Sequence, residues 1–334
     1  MPNLIKNILD SNQLLLCLFA VAMLVSNTVQ AQQDAQYTQY MYNTVSVNPA
    51  YAGSRGHISI AALHRSQWVG LDGAPTTQTL NLHSPIGYRG VGLGISIVND
   101  KIGPTSETYF DGDFSYTIYT SQEGRLSFGL KASAHMLDIR FSELNQDYTN
   151  PGGPDPTLQQ DVDNKFSPNI GAGVYYHTEK FYAGLSVPRF LQTTHFDGEA
   201  LSTAKEQMNL YLITGYVFDL NTNLKFKPAL LTKIVQGAPV QVDVSANFML
   251  NDKFIVGAAY RWDAALSAMV GFNISNKFLI GMAYDKETTE LGQATFNDGS
   301  FEIILRYDFI KELGNLKSPR FFSHSSGDSI KRIF

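Results

Sequence analysis

The chain has 334 residues and a formal net charge of −5, with 25 basic against 30 acidic side chains. Only 16% of residues are charged, where a typical soluble protein has roughly 25%. This balance excludes a basic nucleic-acid binder, which needs a patch of Lys and Arg. A slightly negative mean hydropathy does not exclude a membrane barrel, because polar lumen-facing residues cancel apolar lipid-facing ones.

Residues 1–31 read as a secretory signal. Lys6 supplies a weak positive start, residues 14–25 form the apolar core, and Val29-Gln30-Ala31 is a small-residue cleavage site. The apolar run is about 12 residues, too short to span a bilayer as a helix. Cys17 is the only cysteine and leaves with the signal. The mature chain is then expected to have no disulfide, thiolate catalysis or Cys-ligated metal.

Residues 32–55 form a polar, aromatic-rich lead-in. Asn48-Pro49 followed by Gly53 marks turns. Gln36, Tyr37, Gln39, Tyr40, Met41, Tyr42, Asn48, Pro49, Tyr51 and Gly53 are candidate plug or partner contacts, because a free cluster of aromatics ordinarily covers something. The expectation is an irregular segment tucked into or across a pore, or docked on a periplasmic partner.

Residues 56–310 carry short stretches in which apolar and polar residues alternate. In Gln241-Val242-Asp243-Val244-Ser245-Ala246-Asn247-Phe248 the even positions are apolar and the odd ones polar. A strand points successive side chains to opposite faces, so such a segment has one greasy and one wet face. About fourteen candidates follow: 57–65, 76–84, 91–99, 107–119, 124–137, 169–178, 180–187, 207–219, 223–234, 239–250, 253–262, 265–274, 277–285 and 300–309. The expectation is an all-β, transmembrane antiparallel β-barrel of about 14 strands with an N-terminal plug or lead-in, in the bacterial outer membrane and in contact with its lipid.

Some connections are tight, such as Asn251-Asp252 and Ser275-Asn276, while 138–167 and 188–206 are long. Lys-Phe-x-x-Gly recurs at 180, 253 and 277, each time just after a turn. Such Lys residues can snorkel to headgroups, with the Phe at the interface. Arg65 and Trp68 follow the first strand. They read as interface anchors or, more sharply, as a cargo contact. Arg261 and Asp263 are expected to pair near a rim, and Glu302, Arg306 and Asp308 to form a lumenal charge ladder. Residues 311–334 form a tail that hangs in the periplasm or plugs the barrel.

Chemistry is sparse. The seven histidines lack metal-ligand spacing, and no Gly-x-Ser-x-Gly elbow occurs. His64, His83 and His135 would have to meet across strands to form a hydrolytic site. Gly92-Leu93-Gly94 and Gly171-Ala172-Gly173 read as strand packing rather than phosphate loops. The acidic loop Asp147…Asp155…Asp161-Val162-Asp163-Asn164 is rich enough in oxygen for calcium but lacks EF-hand spacing, so a solvated loop is the better reading. No enzymatic activity, metal or cofactor is expected.

Several phrases together resemble the PorP/SprF family of the type IX secretion system of Bacteroidota. They are Asp34-Ala35-Gln36-Tyr37-Thr38-Gln39-Tyr40-Met41, Asn48-Pro49-Ala50-Tyr51-Ala52-Gly53, Arg65-Ser66-Gln67-Trp68, Tyr260-Arg261-Trp262-Asp263, Ala283-Tyr284-Asp285, Gly299-Ser300-Phe301-Glu302-Ile303 and Ser318-Pro319-Arg320-Phe321-Phe322. The resemblance implies an outer-membrane barrel that works in secretion and, in some members, in export or anchoring of gliding adhesins. It implies secretion or gliding machinery and secreted cargo as partners, and no nucleic acid. Two other readings stay open: a general, porin-like solute channel, and a barrel hydrolase.

Overall fold

The computed structural model describes residues 36–87, 90–144, 161–191, 207–289 and 297–310. Residues 1–35, which include the expected signal, the tail 311–334, and Asp147 and Asp155 of the acidic loop lie outside the described residues. The strands are β1 (Ile58–Ser66), β2 (Thr76–Ile86), β3 (Val91–Ile102), β4 (Thr105–Tyr119), β5 (Arg125–Ile139), β6 (Val162–His177), β7 (Phe181–Val187) and β8 (Asn209–Tyr216). They continue with β9 (Phe218–Asn221), β10 (Leu224–Val235), β11 (Gln241–Leu250), β12 (Phe254–Arg261), β13 (Ala265–Ser275), β14 (Phe278–Glu287) and β15 (Ser300–Phe309).

Neighbours in sequence are antiparallel neighbours in the sheet, and β1 pairs with β15 to close it. β8 and β9 are two pieces of one stave. Both pair with β10 in a continuous register, from Ala229↔Gly215 to Phe226↔Phe218. That register sets Pro228, which has no N–H to give a ladder, across from Tyr216 beside the break. The result is a closed barrel of fourteen staves. Closure satisfies the backbone within the sheet, which hydrocarbon demands of any spanning structure.

The alternation in sequence becomes two faces. In β11, Asp243, Ser245 and Asn247 are buried inside, while Val244 and Phe248 face outward. Leu80, Ile95, Phe114, Leu130, Ile170, Leu212, Val256 and Val270 are among the exposed apolar side chains of the outer wall. Contiguous apolar exposure of this kind is foreign to a soluble surface and ordinary for one bathed in lipid.

The two ends of the barrel differ. At one end the connections are short, at 87–90, 120–124, 178–180, 222–223, 251–253 and 276–277. Asn251 and Asp252 take positive φ there, at 50° and 56°, a conformation these residue types tolerate in tight hairpins. Aromatic pairs girdle this end: Phe226–Phe248 at 4.8 Å, Phe254–Phe272 at 4.9 Å and Tyr307–Phe309 at 4.8 Å. Lys180, Lys253 and Lys277 of the recurring phrase lie in these turns, and Lys180 pairs with Asp219 at 2.9 Å. The opposite end carries every long connection, including 67–75, 140–161, 188–208 and 288–299.

β6 begins at Val162, seven residues before the sequence-based start. Its first part breaks the alternation and contains Pro168, yet pairing with β5, as in His135↔Ser167 and Ala134↔Pro168, holds it extended. The lumen also departs from a water-filled interior. Tyr40, Met41, Tyr42, Val45, Val47, Ala50 and Tyr51 form one buried apolar cluster with wall residues such as Tyr175, Ile213, Met249 and Ile304. The lead-in fills the space, so part of the inner wall is a packed core.

Ile95 stands mid-strand on the outer wall. Ile95→Lys should lower unfolding stability in lipid vesicles by about 2–4 kcal/mol. Gln122→Lys, in an exposed short turn, should change it by no more than about 0.5 kcal/mol. Urea titration of both variants checks the assignment of the outer face.

Candidate functional site

The lumen holds residues 36–56, folded as three short 3-10 turns at Tyr40–Tyr42, Thr44–Ser46 and Pro49–Tyr51. The third has a local cause. The Asn48 side chain accepts the Ala50 N–H at 2.9 Å, and Pro49 occupies the first position, where a proline's missing N–H costs nothing. Gly53 then reverses the chain with φ +73°, and a Cβ there would lie 2.8 Å from the Cα of Gly92. Both the backbone sign and the close approach call for glycine.

The wall is cut to receive this segment. A Cβ on Gly129 would collide with the backbone of Pro49 and Ala50, one on Gly92 with the Ala52 carbonyl, and one on Gly173 with the Asn48 side chain. Gly92 and Gly173, read from sequence as strand packing, thus admit the plug instead, while Gly94 does pack against its neighbouring strands, at Asp113 and His83. Gly171 makes room for Pro188, at the start of the inward-turned segment after β7. Hydrogen bonds fill in the middle of the seat. Ser115 Oγ donates to Ala52 O at 2.7 Å, and Ser186 Oγ to Val47 O at 2.7 Å. Asn48 Nδ2 donates to Val174 O at 3.0 Å, and Asn81 Nδ2 to Asn43 Oδ1 at 2.8 Å. The Tyr51 ring meets His83 and Tyr175 edge-on, with centroids 5.5 and 5.3 Å away. Lys227 Nζ lies 5.3 Å from the centre of the Tyr42 ring.

Charged clamps hold both ends. Near the long-loop end, Glu302 accepts the backbone N–H of Thr38 at 2.9 Å and of Gln39 at 2.8 Å. Thr38 Oγ1 donates to Asp285 at 2.6 Å. Arg65 reaches Asp285 at 2.6 Å, Glu302 at 3.2 Å and Thr38 Oγ1 at 3.0 Å. At the short-turn end, Arg55 binds both oxygens of Asp308, at 3.1 and 2.7 Å, and Ser59 Oγ donates to the same carboxylate at 2.7 Å. Two-pronged guanidinium–carboxylate geometry of this kind fixes orientation as well as charge.

The structure therefore brings Gln36, Tyr37, Gln39, Tyr40, Met41, Tyr42, Asn48, Pro49, Tyr51 and Gly53 together inside the barrel, with Arg65 turned in to meet them. Arg65 does not reach for headgroups; its side chain is 1% exposed. Trp68 stays apart, in the loop after β1, where its Nε1 donates to Glu287 at 3.2 Å. Arg261 pairs across the wall with Asp243 at 2.7 Å, and not with Asp263, which sits in the next turn at φ +54°. Of the expected ladder, Arg306 pairs with Asp308 at 3.4 Å, while Glu302 and Asp308 also grip the plug. Asn81, Ser115, Ser186 and Gly129 carried no separate signal in sequence beyond being small or polar at inward positions of their strands.

The candidate histidines do not converge. His64 is on the outer face and contacts Ser66 at 3.0 Å. His83 accepts the Gly53 N–H at 3.2 Å, and His135 stacks on Tyr109 with centroids 4.2 Å apart. In the acidic loop, Asp161 takes both the N–H and the hydroxyl of Ser142, each at 2.9 Å, and Arg140 lies 3.7 Å away. These donors, the Ser142 N–H foremost, hold the exposed Asp161 carboxyl below its usual range. Asp163 pairs with Arg140 at 2.6 Å. Among the described residues no cluster of three acidic, His or Cys side chains is placed to hold a metal.

Arg65→Ala would leave Asp285 and Glu302 buried together without their cation. A loss of about 3–5 kcal/mol is expected, read as a lower denaturant midpoint. Gly129→Val should unseat the plug, so that protease added to detergent-solubilised protein cuts within 36–56 much faster than in the parent chain.

Among solved structures the chain resembles the KdgM porin (11% identity, TM-score 0.36, 75% of this chain and 99% of that one). It also resembles the CymD monoaromatic hydrocarbon channel (11%, 0.45, 84% and 94%) and a Pseudomonas aeruginosa FadL homologue (14%, 0.42, 86% and 97%). No curated protein sequence matches it. The family model of the type IX secretion system membrane protein PorP/SprF matches residues 29–307, most of the chain, and the protein belongs to that family.

Proposed function

We propose that this protein is a non-enzymatic outer-membrane subunit of the type IX secretion system, which anchors or assists the export and surface attachment of cargo such as gliding adhesins. The observation that carries the proposal beyond the family is the filled lumen. A barrel whose bore is occupied by its own segment, gripped at both ends and packed in the middle, suits a scaffold better than a conduit. Outer-membrane lipid surrounds the apolar wall. The short turns face the periplasm and meet the secretion or motility machinery, and the long loops meet exported protein. This alters one part of the sequence-based reading: the lead-in is spent on the lumen, which leaves the turns as the periplasmic docking surface.

Deletion of the protein should leave one or more cargo proteins trapped in the cell or shed from it. Normal surface display of every type IX cargo, in a strain without a substituting paralogue, would refute the assignment.

The channel reading makes the opposite electrical forecast. Purified protein in planar bilayers should be close to silent, and removal of residues 36–55 should raise conductance several-fold. A steady open conductance in the intact protein, with solute uptake, would favour the porin-like function instead.

A further inference from the structure

The short-turn clamp leaves one charge unanswered. Arg306 of β15 lies on the inner face two residues before Asp308, and its side chain is 5% exposed. A guanidinium carries several N–H donors and no acceptor, so a buried one is ordinarily met by oxygens. Among the described residues Arg306 meets one carboxylate, Asp308, with Nε 3.4 Å from Oδ2 and no hydrogen bond from Nε. That carboxylate is already occupied. Arg55 takes both of its oxygens and Ser59 donates to one of them, while His57 Nε2 stands 3.4 Å away. The strands on either side place Ala61 and Leu279 opposite Arg306, and neither side chain offers an acceptor.

Beside Arg306 the rim has a niche, lined by Arg306 and Asp308 together with Asp252, Asn273 and Lys277 at the adjoining turns. The Asp308 N–H donates to Lys277 O at 2.8 Å and holds one of these turns against β15. Asp252 is committed to Lys225 at 2.6 Å, and its carbonyl accepts Asn273 Nδ2 at 3.1 Å. Both carboxylates at the niche are thus matched by other cations, and Arg306 and Lys277 are left in excess. The space admits a single water-sized group.

We propose that this niche binds a monatomic anion, chloride by size, as the counter-charge of Arg306. A water molecule would supply an acceptor but leave the buried charge unneutralised, and a carboxylate or phosphate group is larger than the space. With the ion in place Arg306 no longer draws on Asp308. That carboxylate is then left to Arg55, so anion binding tightens the hold on the carboxyl end of the plug.

The full-length protein in detergent tests this. Sodium gluconate, too bulky for the niche, is replaced stepwise by sodium chloride at constant ionic strength. Two quantities are followed: the denaturant midpoint, and the rate at which protease cuts within residues 36–56. The midpoint should rise with chloride and then level off as linkage to one site requires, and cutting should slow several-fold. Arg306→Met should abolish both responses. Crystals grown in sodium bromide should show anomalous density within hydrogen-bonding distance of the Arg306 guanidinium. Identical behaviour in the two salts overturns the proposal. So does a chloride response that persists in Arg306→Met, since that would be a bulk salt effect. Should that variant fail to fold, the parent chain decides: bromide at Arg306 together with the saturable response supports the site, and bromide elsewhere only, or none, overturns it.

Discussion

The structure depends on one closure: the antiparallel ladder between the first strand and the last. In hydrocarbon no water is present to accept an unpaired backbone N–H, so β1 and β15 must find each other along their whole length, from Ile58↔Phe309 to Ser66↔Phe301. The two charged clamps sit on this seam. Arg65 of β1 meets Glu302 of β15 and Asp285 of β14, while Asp308 of β15 takes Ser59 of β1 together with Arg55 of the plug. The plug thus bridges the two ends of the chain that closure brings together. Seating the plug and sealing the sheet are coupled through the same side chains.

That coupling accounts for the unusual interior. Buried charges are stabilising only when geometry and further hydrogen bonds compensate for their lost hydration. Here the compensation comes from main-chain and side-chain donors together, with Glu302 accepting two successive N–H groups of the plug, Asp285 the Thr38 hydroxyl, and Asp308 the Arg55 guanidinium and the Ser59 hydroxyl. Between the clamps the balance shifts to apolar packing, where Tyr40, Met41, Val47 and Tyr51 meet Tyr175, Ile213 and Met249. The barrel therefore has two apolar surfaces of different kinds. One is exposed to lipid and gains little from tight fit, since lipid tails conform to it. The other is enclosed and close-packed like a soluble core, and there glycines such as Gly129 decide what can enter.

A closed and occupied bore shifts function to the rims. The short-turn rim is compact, with an aromatic girdle and lysines in its turns, features that fix depth in a membrane. The other rim has the long connections and the inward-turned segment after β7, where Arg189 lies 3.8 Å from the centre of the Tyr109 ring. Loops on a rigid scaffold are where recognition ordinarily resides. The arrangement is that of a protein that holds its place in a membrane and offers surfaces, in keeping with membership of a secretion-system family.

The barrel class was legible in sequence because its cause is local: alternation needs only a period of two, as in residues 241–248, and turn chemistry at Asn251-Asp252 needs only those residues. The early start of β6 was not legible, because Lys165–Pro168 is held extended by its partner β5 and not by its own pattern. The aromatic lead-in could be read as a plug from its composition, but its direction could not, because Thr38, Asp285 and Glu302 are distant in sequence and meet only when the sheet closes. Arg65 shows the limit best. Its place at the end of the first strand suited a headgroup anchor, and only the three-strand junction over it, with two carboxylates waiting inside, turns it inward. The sequence by itself determined which faces are oily and where the chain turns. The tertiary structure decided what fills the bore and which rim each end of the lead-in reaches, because ion pairs and close glycine contacts depend on distances that no local pattern encodes.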